Sequence, residues 1–192
     1  MADTTRTWDS PAGYGTVTRA LHWGMAALFL WQFASAALRV VAKDTAIEGF
    51  FWSTHYSVGF TLWLLVLVRG AWGLVNLRRR PRAAGSPALT AAARAGHFAL
   101  YALMILAPSL AILRAVGGNR GFSVYGLQLV APGGEPNPVL TAPGNALHGL
   151  LGWTLLALIA GHIAMALYHG YVRRDATLDH MARGRSSKAL EA

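Results

Sequence analysis

Residues 146–172 read ALHGLLGWTLLALIAGHIAMALYHGYV. The stretch holds no Asp, Glu, Lys or Arg and exceeds the roughly 20 residues with which a helix crosses the hydrocarbon of a bilayer. Three histidines interrupt it, at positions 148, 162 and 169. His148 and His162 are fourteen positions apart, and at 100° per residue such a pair returns within about 40° of one helix face, separated by about 21 Å along the axis. One membrane helix thus offers two imidazoles on one side at two depths.

The rest of the chain repeats the apolar pattern. Stretches at about 20–40, 52–77 and 96–116 also reach spanning length, and with only 13% charged residues against 54% hydrophobic the chain is far more apolar than soluble domains, in which about a quarter of residues are charged. These features predict an all-α, integral membrane four-helix bundle in a single domain over residues 1–192. The polar start MADTTRTWDSPAGYGTVT and the lack of a small-residue cleavage pattern make the first apolar stretch a transmembrane helix rather than a signal peptide. Basic residues stay on the cytoplasmic side. Arg6, Arg19, Arg78, Arg79, Arg80, Arg82, Arg94, Arg173, Arg174, Arg183, Arg185 and Lys188 flank one set of helix ends, whereas Arg39, Lys43, Arg114 and Arg120 flank the other. Both termini are therefore expected in the cytoplasm. This asymmetry and contact with anionic lipid account for the net charge of +9, with no role for nucleic acid.

The absence of cysteine excludes disulfides, thiolate nucleophiles, iron–sulfur clusters and covalent c-type haem. No Gly-rich phosphate loop and no internal repeat is present. The long connection before the fourth helix is rich in Gly and Pro, and within it GFSVYGLQLV is expected to form one short segment on the membrane surface. Phe50, Phe51 and Trp52 at one end of helix 2, and Trp23 and Trp72 near the other face, read as interfacial anchors. Pro108 is expected to bend helix 3. Glycines at 59, 96, 149, 152 and 161 permit either close helix approach or room for a flat porphyrin.

Six of the seven histidines lie in or at the ends of the apolar stretches: His22, His55, His97, His148, His162 and His169. Ionisable groups in a membrane are costly and usually functional, and imidazole is a standard axial ligand of haem iron. Helix 4 runs outside to inside, helix 1 begins inside with His22, and helix 2 begins outside with His55. The topology therefore pairs His55 with His148 around an outer haem and His22 with His162 around an inner one. Equal depth of the inner pair requires helix 1 to begin before Arg19, or helix 4 to project past the bilayer. Arg69, deep in helix 2, has two readings: an ion pair with propionates of the inner haem, or a side chain reaching to the inner headgroups. His97 reads as a structural polar residue and His180 as a solvated one.

The chain resembles the bacterial cytochrome b561 family, which is similar in fold to the di-haem b subunits of membrane hydrogenases and formate dehydrogenases. The resemblance rests on YGTVTRALHW with its His22 and Trp23, on His55, on GHFALY at 96–101, on YGL at 125–127 followed by Pro132, and most specifically on the spacing of His148, His162 and His169. It implies two haem b groups, held by the same four histidines that the topology pairs, and a quinone site lined by His169. It also implies an inner-membrane location and a role as oxidoreductase or electron carrier. One activity of the family is superoxide oxidation with reduction of ubiquinone, and Arg39, Lys43, Arg114 and Arg120 suit an approach of small anions to the outer haem. The alternatives are a membrane anchor serving a periplasmic redox protein and, without haem, a transporter or structural bundle. Some relatives carry a lysine near the quinone, and the corresponding RAAGSPALT has none.

Overall fold

A computed structural model describes residues 7–81 and 86–184. Arg6, Arg82, Arg185 and Lys188, counted above for orientation, lie outside the described residues, as does the 82–85 part of RAAGSPALT. Among the described residues, four helices are long and apolar enough to cross a membrane. They are α1 (Thr16–Val41), α2 (Ala46–Val75), α3 (Pro87–Gly117) and α4 (Pro138–Leu167), the last continued by a π-helical segment, Tyr168–Arg173. A short α5 (Thr177–Ala182) follows.

Three of these helices begin well ahead of their apolar stretch, because polar caps set their starts. Thr45 Oγ1 accepts the Glu48 N–H at 3.3 Å, and the Thr45 carbonyl accepts that of Gly49. Ser86 Oγ accepts the Leu89 N–H at 3.3 Å, with Pro87 at the first helical position, where its missing N–H costs nothing. Asn137 Oδ1 accepts the Val139 N–H at 3.0 Å, again with a proline, Pro138, next in line. At the other boundary in question, α1 begins at Thr16, ahead of Arg19, and helical turns after α4 run on to Arg173. The early start of α1 is thus present, and the helical turns after α4 give it the length that the other route needs.

The GFSVYGLQLV stretch departs from the expected single segment. It forms a two-stranded antiparallel hairpin, β1 (Phe122–Val124) with β2 (Leu127–Val130). Tyr125 and Gly126 between the strands both take positive φ, 50° and 83°, the backbone hand that a tight two-residue hairpin turn requires. Tyr125 pays little for it, since its N–H donates to Ser57 Oγ at 2.9 Å and its hydroxyl meets Thr61 Oγ1 at 2.8 Å.

The chain divides into two compact units, and all four long helices contribute to each. One comprises the chain up to Gly24, Val68–Leu100 and the chain from Ala157. Its polar core is the buried Asp9, whose Oδ1 accepts the Gly15 N–H at 2.9 Å and the Thr18 hydroxyl at 2.6 Å. Trp72 Nε1 donates to Thr18 Oγ1, its ring stacks on Trp8 at 4.7 Å, and the buried Asn76 accepts the Asp9 N–H. Trp72 is therefore tied into a knot that fastens the N-terminal segment to the end of α2, beyond the anchoring expected of it. The other unit, Met25–Leu67 with Tyr101–Leu156, contains the hairpin, with Phe122 buried against Tyr56 and Phe60. Here α3 and α4 approach so closely at Gly144 that a Cβ would stand 2.5 Å from the Leu110 carbonyl oxygen and 2.7 Å from Arg114 Cβ.

Candidate functional site

Each unit holds one of the histidine pairs. In the first, His22 of α1 and His162 of α4 have ring centres 6.2 Å apart with planes crossed at 82°. In the second, His55 of α2 and His148 of α4 lie 6.4 Å apart with planes at 90°. Two imidazoles sharing one metal place their ring centres about 6 Å apart, given a metal–nitrogen bond of about 2 Å and about 1 Å from nitrogen to ring centre on each side. Both spacings fit two axial ligands of one haem iron.

Hydrogen bonding in the second pair also fixes which nitrogen is available. Ser35 Oγ donates its one proton to the Gln32 carbonyl at 2.7 Å, so towards His55 Nδ1, also 2.7 Å away, it acts as acceptor. His55 therefore carries its proton on Nδ1 and its lone pair on Nε2. His148 Nδ1 lies 2.9 Å from the Ala107 carbonyl, which only accepts, so the same tautomer follows. Both rings thus keep Nε2, the nitrogen suited to a metal, free of a proton. The Gln32 amide nitrogen sits 3.2 Å from His55 Nε2 and donates to the His55 carbonyl at 3.1 Å, while its Oε1 is buried without a hydrogen bond. Trp52 stacks on the His55 ring at 4.6 Å and pins its plane, a tighter duty than interfacial anchoring.

A methyl built at Gly96, Gly149, Gly152 or Gly161 would meet nothing within 4 Å, so these glycines do not serve close helix approach. Gly59 differs, since a Cβ there would lie 3.0 Å from the Gln32 side chain. Among the described residues no three His, Asp or Glu side chains converge as a metal site built from protein ligands alone. Paired imidazoles suit a porphyrin, which supplies four nitrogens of its own.

One cation accompanies each pair. Arg69 is within electrostatic reach of His22 and His162, and Arg114 of His55. Arg114 also approaches the Tyr56 hydroxyl at 3.5 Å. Arg39, by contrast, is engaged with the buried Glu48 at 2.8 Å and lies over Trp52.

His97 stands closer to the inner pair than its structural reading suggested, with its ring 5.5 Å from His162 and its Nδ1 held 2.7 Å from the Ala93 carbonyl. His169 lies in the same unit and pairs with Asp175, Nδ1 to Oδ2 at 2.6 Å. Arg173 Nε is 3.6 Å from the same oxygen. Sequence reasoning missed Asp175, Ser35 and Gln32. The last two carried a signal, being polar side chains three apart within an apolar stretch. His180 lies on α5, and burial pushes its imidazole down from the ordinary value, against the raising influence of Asp179 and Asp175.

A further feature is a cavity of about 490 Å³ in the second unit, lined by Arg120, by Ser53, Thr54, Tyr56 and Ser57, and by the hairpin. Neither His55 nor His148 is among its lining residues.

The sequence model of the prokaryotic cytochrome b561 family matches residues 13–184. Cytochrome b561 homolog 2 of Escherichia coli (strain K12) is 30% identical over 182 residues, 93% of this chain and 95% of that protein. A Yersinia pestis protein named probable superoxide oxidase CybB is 29% identical over 174 residues, 88% and 94% of the two chains. Cytochrome b561 homolog 1 of Escherichia coli (strain K12) is 28% identical over 166 residues, 84% and 92%. The family implies haem b, in keeping with the crossed histidine pairs, and the four apolar helices match a multi-pass protein of a bacterial membrane. The chain belongs to the prokaryotic cytochrome b561 family.

Proposed function

We propose that this protein holds two haem b groups, one between His22 and His162 and one between His55 and His148, and carries electrons across the bacterial inner membrane between the quinone pool and a partner on the outer side. The observation that carries the reading is the pair of imidazole spacings, 6.2 and 6.4 Å, on helices that also leave open glycine faces. Haem iron, when bound, supplies a one-electron couple within a membrane that water does not enter.

The protein's own residues do the rest. Arg69 and Arg114 suit propionates beside the inner and outer pairs through charge-assisted bonds. His169 has its Nδ1 proton held by Asp175, which leaves Nε2 to give or take the proton that accompanies quinone chemistry. On the outer side, Arg120 in the lining of the 490 Å³ cavity suits a small anion. With the name of the Yersinia relative, this favours superoxide as donor and ubiquinone as acceptor. In that reaction two superoxide ions each lose one electron and leave as dioxygen, and the quinone takes up two electrons and two protons to become quinol.

The test is a reduced-minus-oxidised spectrum with haem quantitation on the detergent-purified protein and its variants. Two haems b per chain are expected, with His148→Ala and His162→Ala each losing a different one. His97→Ala is expected to keep both, since its 5.5 Å spacing to His162 is the shorter and His22 already supplies that partner. A folded wild-type protein without haem would return the histidines to a transport or structural role.

A further inference from the structure

The two imidazoles of the outer pair hand their Nδ1 protons to acceptors of different kinds. His148 gives its proton to the main-chain carbonyl of Ala107, which no side-chain substitution removes. His55 gives its proton to a side chain, Ser35 of α1, which is wholly buried and whose own proton is committed to the Gln32 carbonyl. A hydroxyl that has spent its proton is a better acceptor than a free one, because each bond in such a chain polarises the next. The sequence Nδ1–H to Ser35 Oγ to Gln32 carbonyl is therefore directional, and it runs away from the metal-facing nitrogen.

We propose that Ser35 is a positioning residue that sets the redox poise of the outer haem, by fixing the Nδ1–H tautomer of His55 and strengthening its Nε2 as a donor. The proposal rests on the haem reading above. An acceptor on Nδ1–H makes the imidazole more basic and favours the iron that carries more positive charge. Ferric iron plus one electron gives ferrous iron, so a stronger donor holds that equilibrium toward the ferric side. Loss of the hydroxyl weakens the donor, and the potential of this one haem rises. Substitution of groups behind a metal ligand typically costs about 10–100-fold in metal affinity or activity, and the lower end is the size expected for the effect on the ferric–ferrous equilibrium. A tenfold change corresponds to about 59 mV for a one-electron couple.

The experiment is a potentiometric titration of the purified holoprotein with dithionite and ferricyanide, followed in the haem absorption bands. It compares wild type with Ser35→Ala, Ser35→Thr and His55→Ala. His55→Ala tests the underlying reading: loss of one haem assigns the outer site, whereas retention of both removes the reading itself. With the site assigned, Ser35→Ala is expected to keep two haems and shift the ferric–ferrous equilibrium of the outer one about tenfold toward ferrous, with the inner one unmoved. Ser35→Thr, which keeps a hydroxyl, is expected to match wild type. Two unchanged potentials in Ser35→Ala would overturn the proposal. If Ser35→Ala empties the outer site, Ser35→Thr decides: a retained haem supports the role of the hydroxyl, and an empty site in both variants assigns the position to packing and overturns it.

Discussion

The carboxylate of Asp175 serves two partners at once. Its Oδ1 accepts the Thr177 N–H at 3.0 Å, at the start of α5, and its Oδ2 accepts the His169 Nδ1 proton at 2.6 Å. Burial, the largest single influence, pushes the carboxyl up, but the hydrogen bonds from Thr177 and His169 together outweigh it and hold it down at about 2, below the ordinary 3.8. For a carboxyl with a lowered folded value, the stabilising contribution is complete above 3.8 and is lost as pH falls through about 2. Acidification from pH 7 to pH 5 therefore leaves the His169–Asp175 contact intact. Asp175→Asn removes the charge behind His169 while keeping a side chain that caps helices well. The expected outcome is an unchanged haem content with quinone reduction slowed about tenfold, less than the roughly 10²–10⁴-fold that an acid–base group itself contributes, because Asp175 acts through His169. Turnover at full rate in Asp175→Asn would show that the carboxylate acts only as a helix cap.

Among the elements, the contact of α3 with α4 is where the fold bears most directly on the outer pair. Gly144 lets the two backbones approach, and four residues on, His148 reaches across to the Ala107 carbonyl. The atom nearest a Cβ at 144 is a main-chain oxygen, which does not swing aside, so Gly144→Val is expected to cost about 1–3 kcal/mol by forcing the helices apart. In detergent this should appear as an earlier thermal transition by circular dichroism, with one haem band lost ahead of the other. Coincident melting of variant and wild type would mean that the helices separate without cost. Much of this element-scale picture was legible in the sequence. The four apolar stretches announced α1 to α4, and the fourteen-residue spacing on α4 announced one partner for each pair. What escaped depends on facts that no spacing encodes. The helix starts at Ala46, Pro87 and Pro138 are set by Thr45, Ser86 and Asn137, polar residues outside the apolar windows. Ser35 and Gln32 are polar side chains in an apolar helix, but their partner depends on which face of α1 turns to α2. Asp175 meets His169 because Arg174 takes a left-handed φ of 51° and the Asp175 N–H returns to the His169 carbonyl. Two consecutive arginines give no hint of that reversal.

At the scale of the whole molecule, charge follows the division into units. Arg19, Arg78, Arg79, Arg80, Arg94, Arg173, Arg174 and Arg183 all belong to the unit that holds His22, His162 and His169, whereas Arg39, Lys43, Arg114 and Arg120 belong to the one that holds His55 and His148. Each basic residue near an anionic leaflet is worth about 1 kcal/mol, so the difference is large enough to set orientation during insertion. On the proposed orientation, His169 and Asp175 would face the cytoplasm. Protons for quinol formation would then come from the cytoplasm while superoxide arrives from outside. Reporter fusions test this directly. A green fluorescent protein joined after Ala192 is expected to fluoresce, because it matures in the cytoplasm. An alkaline phosphatase placed at the exposed Gly133–Gly134 turn is expected to be active, because its disulfides form only on the oxidising side. A dark C-terminal fusion together with an inactive phosphatase would reverse the orientation and, with it, the side from which the proposed quinone site would take its protons.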